Sequence, residues 1–309
     1  MPIDPRRQWL AKFSKRRQKQ YNKMADEFED VTGIYLNELL TRTRKRIGKG
    51  EPPTDAFYYF RMYGKEQIKR HIAKTSVSTW INVLRGFFTA NFVALPKLED
   101  FPSGLDSEYE TDFVPSQENV KQMVAIRKRL RDKAVIAFLA QTGQRVGVLE
   151  AMKRNMITKV EANGLIHGLV EVDPRLANPD GEKVNQSEVR YRFVVGADTM
   201  RLLEDLPTYP GAWLFHLRQR QMNRIVEGAA EEVKIQRPIP TEIRGRLWHQ
   251  VHTQTFRRYF QGQMRKMNYE QREFIMGNKV KGKSRAAGLL TPEKLLEAYV
   301  ECEAGIAVL

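Results

Sequence analysis

The sequence contains very little cysteine and no long apolar run, and these shortages exclude several kinds of protein. Cys302 is the single cysteine among 309 residues, so the chain can form neither an internal disulfide nor a zinc site built from cysteines. No stretch approaches the roughly 18 consecutive apolar residues that a membrane-spanning helix needs. The first residues also lack the apolar core of a secretion signal. We therefore expect a cytoplasmic protein with no membrane partner.

Motifs for nucleotide hydrolysis and for metal-dependent nuclease chemistry are missing as well. The chain has no glycine-rich phosphate loop. Its acidic residues, such as Glu150, Asp173 and Asp180, are scattered without the spacing of a metal site. We expect no metal ion, no nucleotide cofactor and no small-molecule substrate.

What the chain does contain is an excess of positive charge. It has 52 Lys and Arg against 37 Asp and Glu, which gives a net charge of +15 and a pI near 9.8. Each phosphate that Lys or Arg neutralises releases condensed counterions, so the expected partner is a nucleic acid. Tyr58, Tyr59 and Tyr63 could stack on bases, which leaves RNA binding open, although aromatic residues at helical spacing more often pack in a core.

The apolar pattern predicts a mostly helical chain with one small β-hairpin. We expect a basic helical domain over residues 1–96, a linker with prolines and acids over 97–113, and a second domain over 114–309. The elements predicted in the second domain are helices over 117–131 and 133–142, strands over 164–172 and 187–195, and a helix capped by Asp198.

Three segments carry motifs in an order and spacing that resemble one family. The first is WLAKFSKRRQKQYNKMADEFEDVTGIYLNELL with KTSVSTWINVLRGFFTANF downstream; the second is KAVIAFLAQTGQRVGVLEAM; the third is VHTQTFRRYFQGQM followed by REFIMGNKVKG. They are similar, in turn, to the core-binding domain, the first arginine motif and the second arginine motif of tyrosine recombinases, particularly archaeal and archaeal-virus members. The resemblance implies a helical core-binding domain, a tyrosine-recombinase-like catalytic domain, and DNA integration or recombination for a mobile element.

The resemblance also implies catalytic roles for two arginines. Arg145 follows Thr142 and Gly143 in the first motif, and Arg257 matches the second, with the adjacent Arg258 as a rival. A scissile phosphate gains negative charge in a pentacoordinate transition state, and planar guanidinium groups can hold its nonbridging oxygens through paired hydrogen bonds. We expect the two arginines, which are distant in sequence, to meet around one phosphodiester.

Further positions match the family in part. Lys183 is the only lysine in the predicted turn between the two strands, where the family has a general-acid lysine; an ordinary solvated lysine is the alternative. The family commonly places a histidine three residues before Arg257, but Gln254 stands there and His252 lies two residues earlier. Asn278 replaces a His or Trp; it can donate a hydrogen bond to a phosphate oxygen but cannot act as an acid.

The nucleophile implied by the resemblance is absent from its usual position. Family members attack phosphorus with a tyrosine about nine residues after the position that Asn278 occupies, and that count reaches Ala287, which follows Ala286. Tyr299 is the nearest later tyrosine, either as the nucleophile or as a packing residue of a helix. The chain is therefore a recombinase that forms a 3′-phosphotyrosyl intermediate, or a natural or engineered variant that binds DNA without cutting it.

DNA contacts are expected at basic and polar residues of both domains, namely Lys12, Lys15, Arg16, Arg17, Lys74, Arg85, Gln254 and Arg258. The resemblance implies double-stranded DNA with inverted core sites as the partner. It also implies a homo-tetramer on that DNA and an association with the nucleoid. Phosphoryl transfer through protein side chains alone requires no cofactor.

Overall fold

The computed structural model describes residues 4–70, 72, 74–96, 113–181, 190–236, 238–239, 248–278 and 291–309. Over these residues the protein is mostly helical with a small antiparallel sheet, which confirms the predicted fold class. The described residues up to 96 belong to one compact unit, and those from 113 onward belong to another. Within the described ranges, no helix is long and apolar enough to cross a membrane.

The first unit consists of helices that pack their aromatic residues together. They are α1 (Pro5–Leu10), α2 (Lys15–Thr32), α3 (Leu36–Gly48), α4 (Thr54–Lys69) and α5 (Lys74–Ala90). Gly33 ends α2 in the left-handed conformation at φ 69°, which glycine adopts without steric cost. Trp9, Phe28 and Phe87 are buried in the core of this unit.

The tyrosines considered for RNA stacking divide between the core and the surface. Tyr63 is fully buried and packs against Phe28 with ring centroids 5.5 Å apart. Tyr58 is 64% exposed. Tyr63 therefore packs inside the unit and is not presented as a stacking platform.

The second unit has a helical core and a three-stranded sheet. Its helices are α6 (Gln117–Ile126), α7 (Leu130–Thr142), α8 (Val146–Ala151), α9 (Ala197–Glu204), α10 (Gln219–Glu232), α11 (Thr255–Gln263), α12 (Tyr269–Ile275) and α13 (Pro292–Glu303). The three-stranded sheet consists of β1 (Ile157–Ala162), β2 (Leu165–Val172) and β3 (Tyr191–Val195). The short strands β4 (Pro238–Ile239) and β5 (Trp248–His249) form a separate antiparallel pair. Helix α7 is buried along its length from Ala134 to Thr142, as its apolar sequence predicts.

The predicted hairpin is present as the antiparallel pair β2–β3, in which Val170 faces Phe193. Strand β1 was not predicted from the sequence; it pairs with β2 and is joined to it by a tight turn at Asn163-Gly164. Both turn residues have positive φ, 52° and 71°, as in the two-residue turns that connect the strands of many β-hairpins. Lys183, in the connection between β2 and β3, lies outside the described residues.

Two local predictions in this unit were wrong. Helix α6 ends at Ile126 instead of 131, because Arg127 adopts an extended conformation and its guanidinium bonds to Glu232 and to the carbonyl of Ile225 on α10. Asp198 lies within α9 and does not cap it. Its Oδ2 atom instead accepts the backbone N–H of Val308 at 2.8 Å, which ties the C-terminal residues to α9.

Candidate functional site

The structure brings the two predicted arginines together around one oxygen atom. Arg145 precedes the first turn of α8, and Arg257 lies on α11. A terminal nitrogen of each guanidinium donates to Oδ1 of Asn278, in both cases at 2.9 Å. Three separate segments of the chain therefore converge, and they bring two positively charged guanidinium groups to the same acceptor oxygen.

Arg257 is held deep in this site by main-chain carbonyls. It is 6% exposed and donates to the carbonyl oxygens of Gly143 at 2.8 Å and Met276 at 3.0 Å. Burial, together with the charge of Arg145, lowers the pKa of Arg257 to about 10, so it remains a cation at neutral pH. The neighbouring Arg258 is exposed, so Arg257 is the arginine that occupies the site.

Gly143 connects the end of α7 to this site. It has a φ of 59°, and a Cβ atom there would lie 2.6 Å from the ring of Phe260. Glycine is therefore required both by the left-handed backbone and by the close approach of α11.

Asn278 is positioned by the end of helix α12. Its N–H donates to the carbonyl of Glu273, and the N–H of Gly277 donates to that of Phe274, both at 2.9 Å. This pair of bonds, with Gly277 at φ 67°, is the Schellman arrangement that ends many helices. A Cβ atom on Gly277 would lie 2.7 Å from the ring of Tyr191, so no side chain fits between the strand and the helix end.

Glu273 fixes the Asn278 side chain and was not found from the sequence. The Asn278 amide nitrogen donates to Oε2 of Glu273 at 2.7 Å, and Oε1 of Glu273 accepts from Gln261 at 3.1 Å. Asn278 therefore presents its oxygen, not its NH₂ group, to the arginines. This orientation differs from the sequence-based expectation, in which Asn278 is a hydrogen-bond donor.

Tyr191 and Gln144 form a buried hydrogen-bonded pair beside the arginines. The Tyr191 hydroxyl donates to Oε1 of Gln144 at 3.0 Å, and Gln144 donates to the carbonyl of Ile275 at 2.8 Å. Burial raises the pKa of Tyr191 to about 12, although the charges of Arg145 and Arg257 act in the opposite direction. No motif in the sequence points to Tyr191 as a neighbour of the arginines.

His252 and Gln254 shape the turn that leads into α11. The Nδ1 atom of His252 accepts the backbone N–H of Gln254 at 3.1 Å, and the backbone N–H of His252 donates to Oγ1 of Thr255 at 3.1 Å. Gln254 is exposed, and its side chain makes no cap to the helix. The catalytic role considered for His252 stays a prediction.

Tyr299 lies in the hydrophobic core on α13. It is fully buried, and its hydroxyl donates to the carbonyl of Gln141 at 2.8 Å. Burial, with the charge of Glu303 as a second cause, raises the pKa of this phenol well above its usual value. A nucleophile has to reach the phosphorus atom, so this environment favours the packing role that the sequence left open. Ala286 and Ala287 lie outside the described residues.

The residues predicted to contact DNA are mostly on the surface. Exposed positions are Lys12, Lys15, Arg16, Arg17, Gln254 and Arg258. Arg85 is half-buried and donates to the carbonyls of Leu95 at 2.9 Å and Pro96 at 2.8 Å, so it fixes the chain after α5. The side chain of Lys74 is outside the described set. Among the residues that the structure describes, no cluster of His, Cys, Asp or Glu could hold a metal ion.

Comparison by sequence finds no relatives: no family model matches the chain, and no curated protein matches it. Comparison of the fold does find similar structures. The chain resembles the XerA recombinase with 16% identity and a TM-score of 0.40, over 96% of this chain and 97% of that one. It resembles the XerH site-specific recombinase bound to difH substrate with 15% identity and a TM-score of 0.47, over 77% and 69% of the two chains.

The similarity is more extensive to the Tn1549 transposon integrase, whose structure contains transposon right end DNA. The TM-score is 0.53 with 12% identity, and the match covers 98% of this chain and 100% of that one. At this level of identity the comparison establishes architecture only. The described chain therefore shares its fold, from the first helical unit through the second, with a transposon integrase.

Proposed function

We propose that this protein binds duplex DNA and holds one phosphodiester between Arg145 and Arg257, as a site-specific recombinase or integrase of the tyrosine recombinase type. The observation that carries the proposal is the pair of 2.9 Å hydrogen bonds from the two guanidinium groups to one oxygen atom. A phosphate oxygen is an acceptor of the same kind and carries negative charge in addition. The fold shared with the Tn1549 integrase and the net charge of +15 support the same function.

The arginines would stabilise the charge that develops during phosphoryl transfer. In the pentacoordinate transition state the nonbridging oxygens gain negative charge, and donors fixed in advance stabilise them without further reorganisation. Arg257 is fixed in this way by the carbonyls of Gly143 and Met276. Lys183 would protonate the leaving 5′ oxygen, and His252 would assist from the turn before α11.

The nucleophile decides between two functions. A recombinase would attack with a tyrosine hydroxyl and release a 5′ hydroxyl from the DNA, leaving a 3′-phosphotyrosyl bond. The burial of Tyr299 and its bond to Gln141 favour the second candidate, a DNA-binding or architectural protein that descends from such an enzyme and does not cut. Both candidates use the arginine pair in the same way, and they differ only in covalent chemistry.

A nicked suicide substrate separates the two candidates. Cleavage of such DNA leaves a covalent protein–DNA band on a denaturing gel, since the short released strand diffuses away. A covalent band that disappears in Tyr299→Phe identifies a recombinase with Tyr299 as its nucleophile. A band that disappears in Tyr191→Phe instead identifies Tyr191, which lies beside the arginines, as the nucleophile. No band, combined with salt-sensitive duplex binding, establishes the non-cutting protein. A band gained by Ala286→Tyr or Ala287→Tyr shows that the site lacks only its nucleophile.

The wider biological setting follows from the same proposal. The DNA partner would carry inverted core sites, and copies of the protein would assemble on it as a homo-tetramer. Its location would be the cytoplasmic nucleoid, and the sequence resemblance points to a mobile element such as an archaeal virus. Sedimentation of the protein with a duplex that carries two sites, compared with one site, tests the assembly.

A further inference from the structure

The space between the two guanidinium groups is occupied by the protein's own side chain. Oδ1 of Asn278 accepts one hydrogen bond from Arg145 and one from Arg257. A carboxamide oxygen and a nonbridging phosphate oxygen are both acceptors of similar size, so they compete for the same donors. An incoming phosphodiester has to displace this oxygen before both arginines can bind it.

The orientation of the amide has an identifiable cause. The Asn278 NH₂ group donates to Oε2 of Glu273 at 2.7 Å, and an ionised carboxylate can only accept hydrogen bonds. If the amide turned over, its oxygen would face the carboxylate and its NH₂ group would face the arginine donors. Both contacts would be repulsive, so Glu273 fixes the oxygen on the arginine side.

Glu273 is itself held in place by α12 and α11. Its second oxygen accepts from Gln261 at 3.1 Å, and its carbonyl accepts the N–H of Asn278 at the helix end. Backbone and side chain therefore both connect Glu273 to Asn278. The alignment of the carboxylate with the amide is therefore built into the end of helix α12.

We propose that Glu273 is a positioning residue that fixes the Asn278 amide as an internal substitute for a phosphate oxygen, which a DNA phosphodiester must displace in order to bind. The inference rests on the proposed function, since it requires that Arg145 and Arg257 bind a phosphodiester. In the free protein the substitute oxygen keeps two like charges close together. In the DNA complex it is a competitor, so it lowers affinity and delays engagement of the phosphate.

Neutralising the carboxylate while keeping its shape should release the amide. In Glu273→Gln the new amide can accept or donate, so Asn278 can turn its NH₂ group toward a bound phosphate and donate to it. One additional hydrogen bond of this kind is worth about 1 kcal/mol, so we expect duplex DNA to bind about fivefold more tightly. Loss of a negative charge also favours DNA by itself, and this contribution must be removed with a control.

The matched control is Glu270→Gln, which neutralises an exposed carboxylate on the same helix. Binding of a labelled duplex is measured by fluorescence anisotropy at fixed salt for both variants, each with and without Asn278→Ala. We expect Glu273→Gln to increase affinity more than Glu270→Gln, and to lose that advantage when Asn278 is alanine. An equal gain in both backgrounds, or no gain beyond Glu270→Gln, overturns the inference.

A second pair of variants tests the same idea if Glu273→Gln fails to fold. Asn278→Asp turns the substitute oxygen into a charged competitor, and Asn268→Asp adds the same charge at the start of α12, where an acidic cap is tolerated. We expect the first variant to weaken duplex binding at least tenfold more than the second; equal effects contradict the competition. If the wild type does not bind duplex DNA, or Arg145→Ala binds as well as wild type, the proposed function itself fails.

Discussion

Arg145 and Arg257 donate hydrogen bonds to the same atom, Oδ1 of Asn278. Two guanidinium groups repel each other, and the charge of Arg145 contributes to the lowered pKa of Arg257. A shared acceptor offsets this repulsion, and a shared anion would do so more strongly. The arrangement is therefore better suited to a phosphate than to the neutral amide that now occupies it.

The two adjacent arginines of α11 give a direct test of the site. Arg257→Lys keeps the charge but cannot reach the carbonyls of Gly143 and Met276 and a phosphate together, since a lysine presents a single nitrogen. We expect duplex affinity to fall about tenfold, which corresponds to about 1.4 kcal/mol. The exposed Arg258→Lys keeps its charge at an expected surface contact with DNA, so we expect it to lower the affinity by less than Arg257→Lys does. Equal losses in both variants, measured by anisotropy at one salt concentration, would contradict the assignment of Arg257.

Replacement of Gly277 should destabilise the second unit. Gly277→Ala places a Cβ atom 2.7 Å from the ring of Tyr191 at a backbone φ of 67°. We expect the free energy of unfolding to decrease by about 1–3 kcal/mol, because both the strain and the overlap must be relieved. Gly164→Ala has a similar φ of 71° but open space, so it isolates the cost of the conformation alone. Urea unfolding measures both variants, and an equal decrease would show that the contact with Tyr191 contributes nothing.

Tyr299→Phe should lower stability without changing DNA affinity. The substitution leaves the carbonyl of Gln141 without the phenol that donates to it at 2.8 Å, at a cost of about 1 kcal/mol. The exposed Tyr58→Phe on α4 is the control and should unfold as the wild type does. Thermal unfolding and duplex binding are measured on the same preparations. A large loss of DNA affinity with unchanged stability would place Tyr299 in the binding site instead of the core.

Tyr191 should contribute to a loss of stability in alkaline solution. Its pKa is about 12 in the folded protein and near the ordinary 10.0 in the unfolded chain. Below pH 10 the phenol is neutral in both states; between pH 10 and 12 the unfolded chain loses its proton first, so unfolding is favoured as pH rises. Tyr191 alone contributes at most about 1.4 kcal/mol per pH unit to the slope. Urea unfolding as a function of pH should show a smaller alkaline loss in Tyr191→Phe than in the wild type, and parallel curves would contradict the raised pKa.

Much of the architecture could be predicted because apolar periodicity reports which face of an element is buried. The break at Gly33, the buried helix α7 and the β2–β3 pair all follow from local pattern and from glycine conformation. Strand β1 was missed although its signal was present, since Asn163-Gly164 is a strong hairpin turn. The end of α6 depends instead on the contact of Arg127 with α10, which no local pattern contains.

The site was predictable only in part for a similar reason. Arg145 and Arg257 stand in recognisable motifs, so their positions could be proposed from the sequence. Glu273 and Tyr191 reach the site through the end of α12 and the register of β3. Glu273 lies within the third segment, but the resemblance gives it no role, and Tyr191 lies outside all three segments. The orientation of the Asn278 amide depends on the arginines at its oxygen and on Glu273 at its nitrogen, and these contacts are visible only in the three-dimensional structure.

The Schellman end of α12 ties the spacing of this helix to the geometry of the arginines. An α-helix advances 1.5 Å and turns about 100° for each residue. An insertion or deletion between Tyr269 and Ile275 would therefore rotate position 278 away from both guanidinium groups. Homologous chains that keep the arginine pair should vary freely in the amino acids on the outer face of this helix, but its length should be invariant.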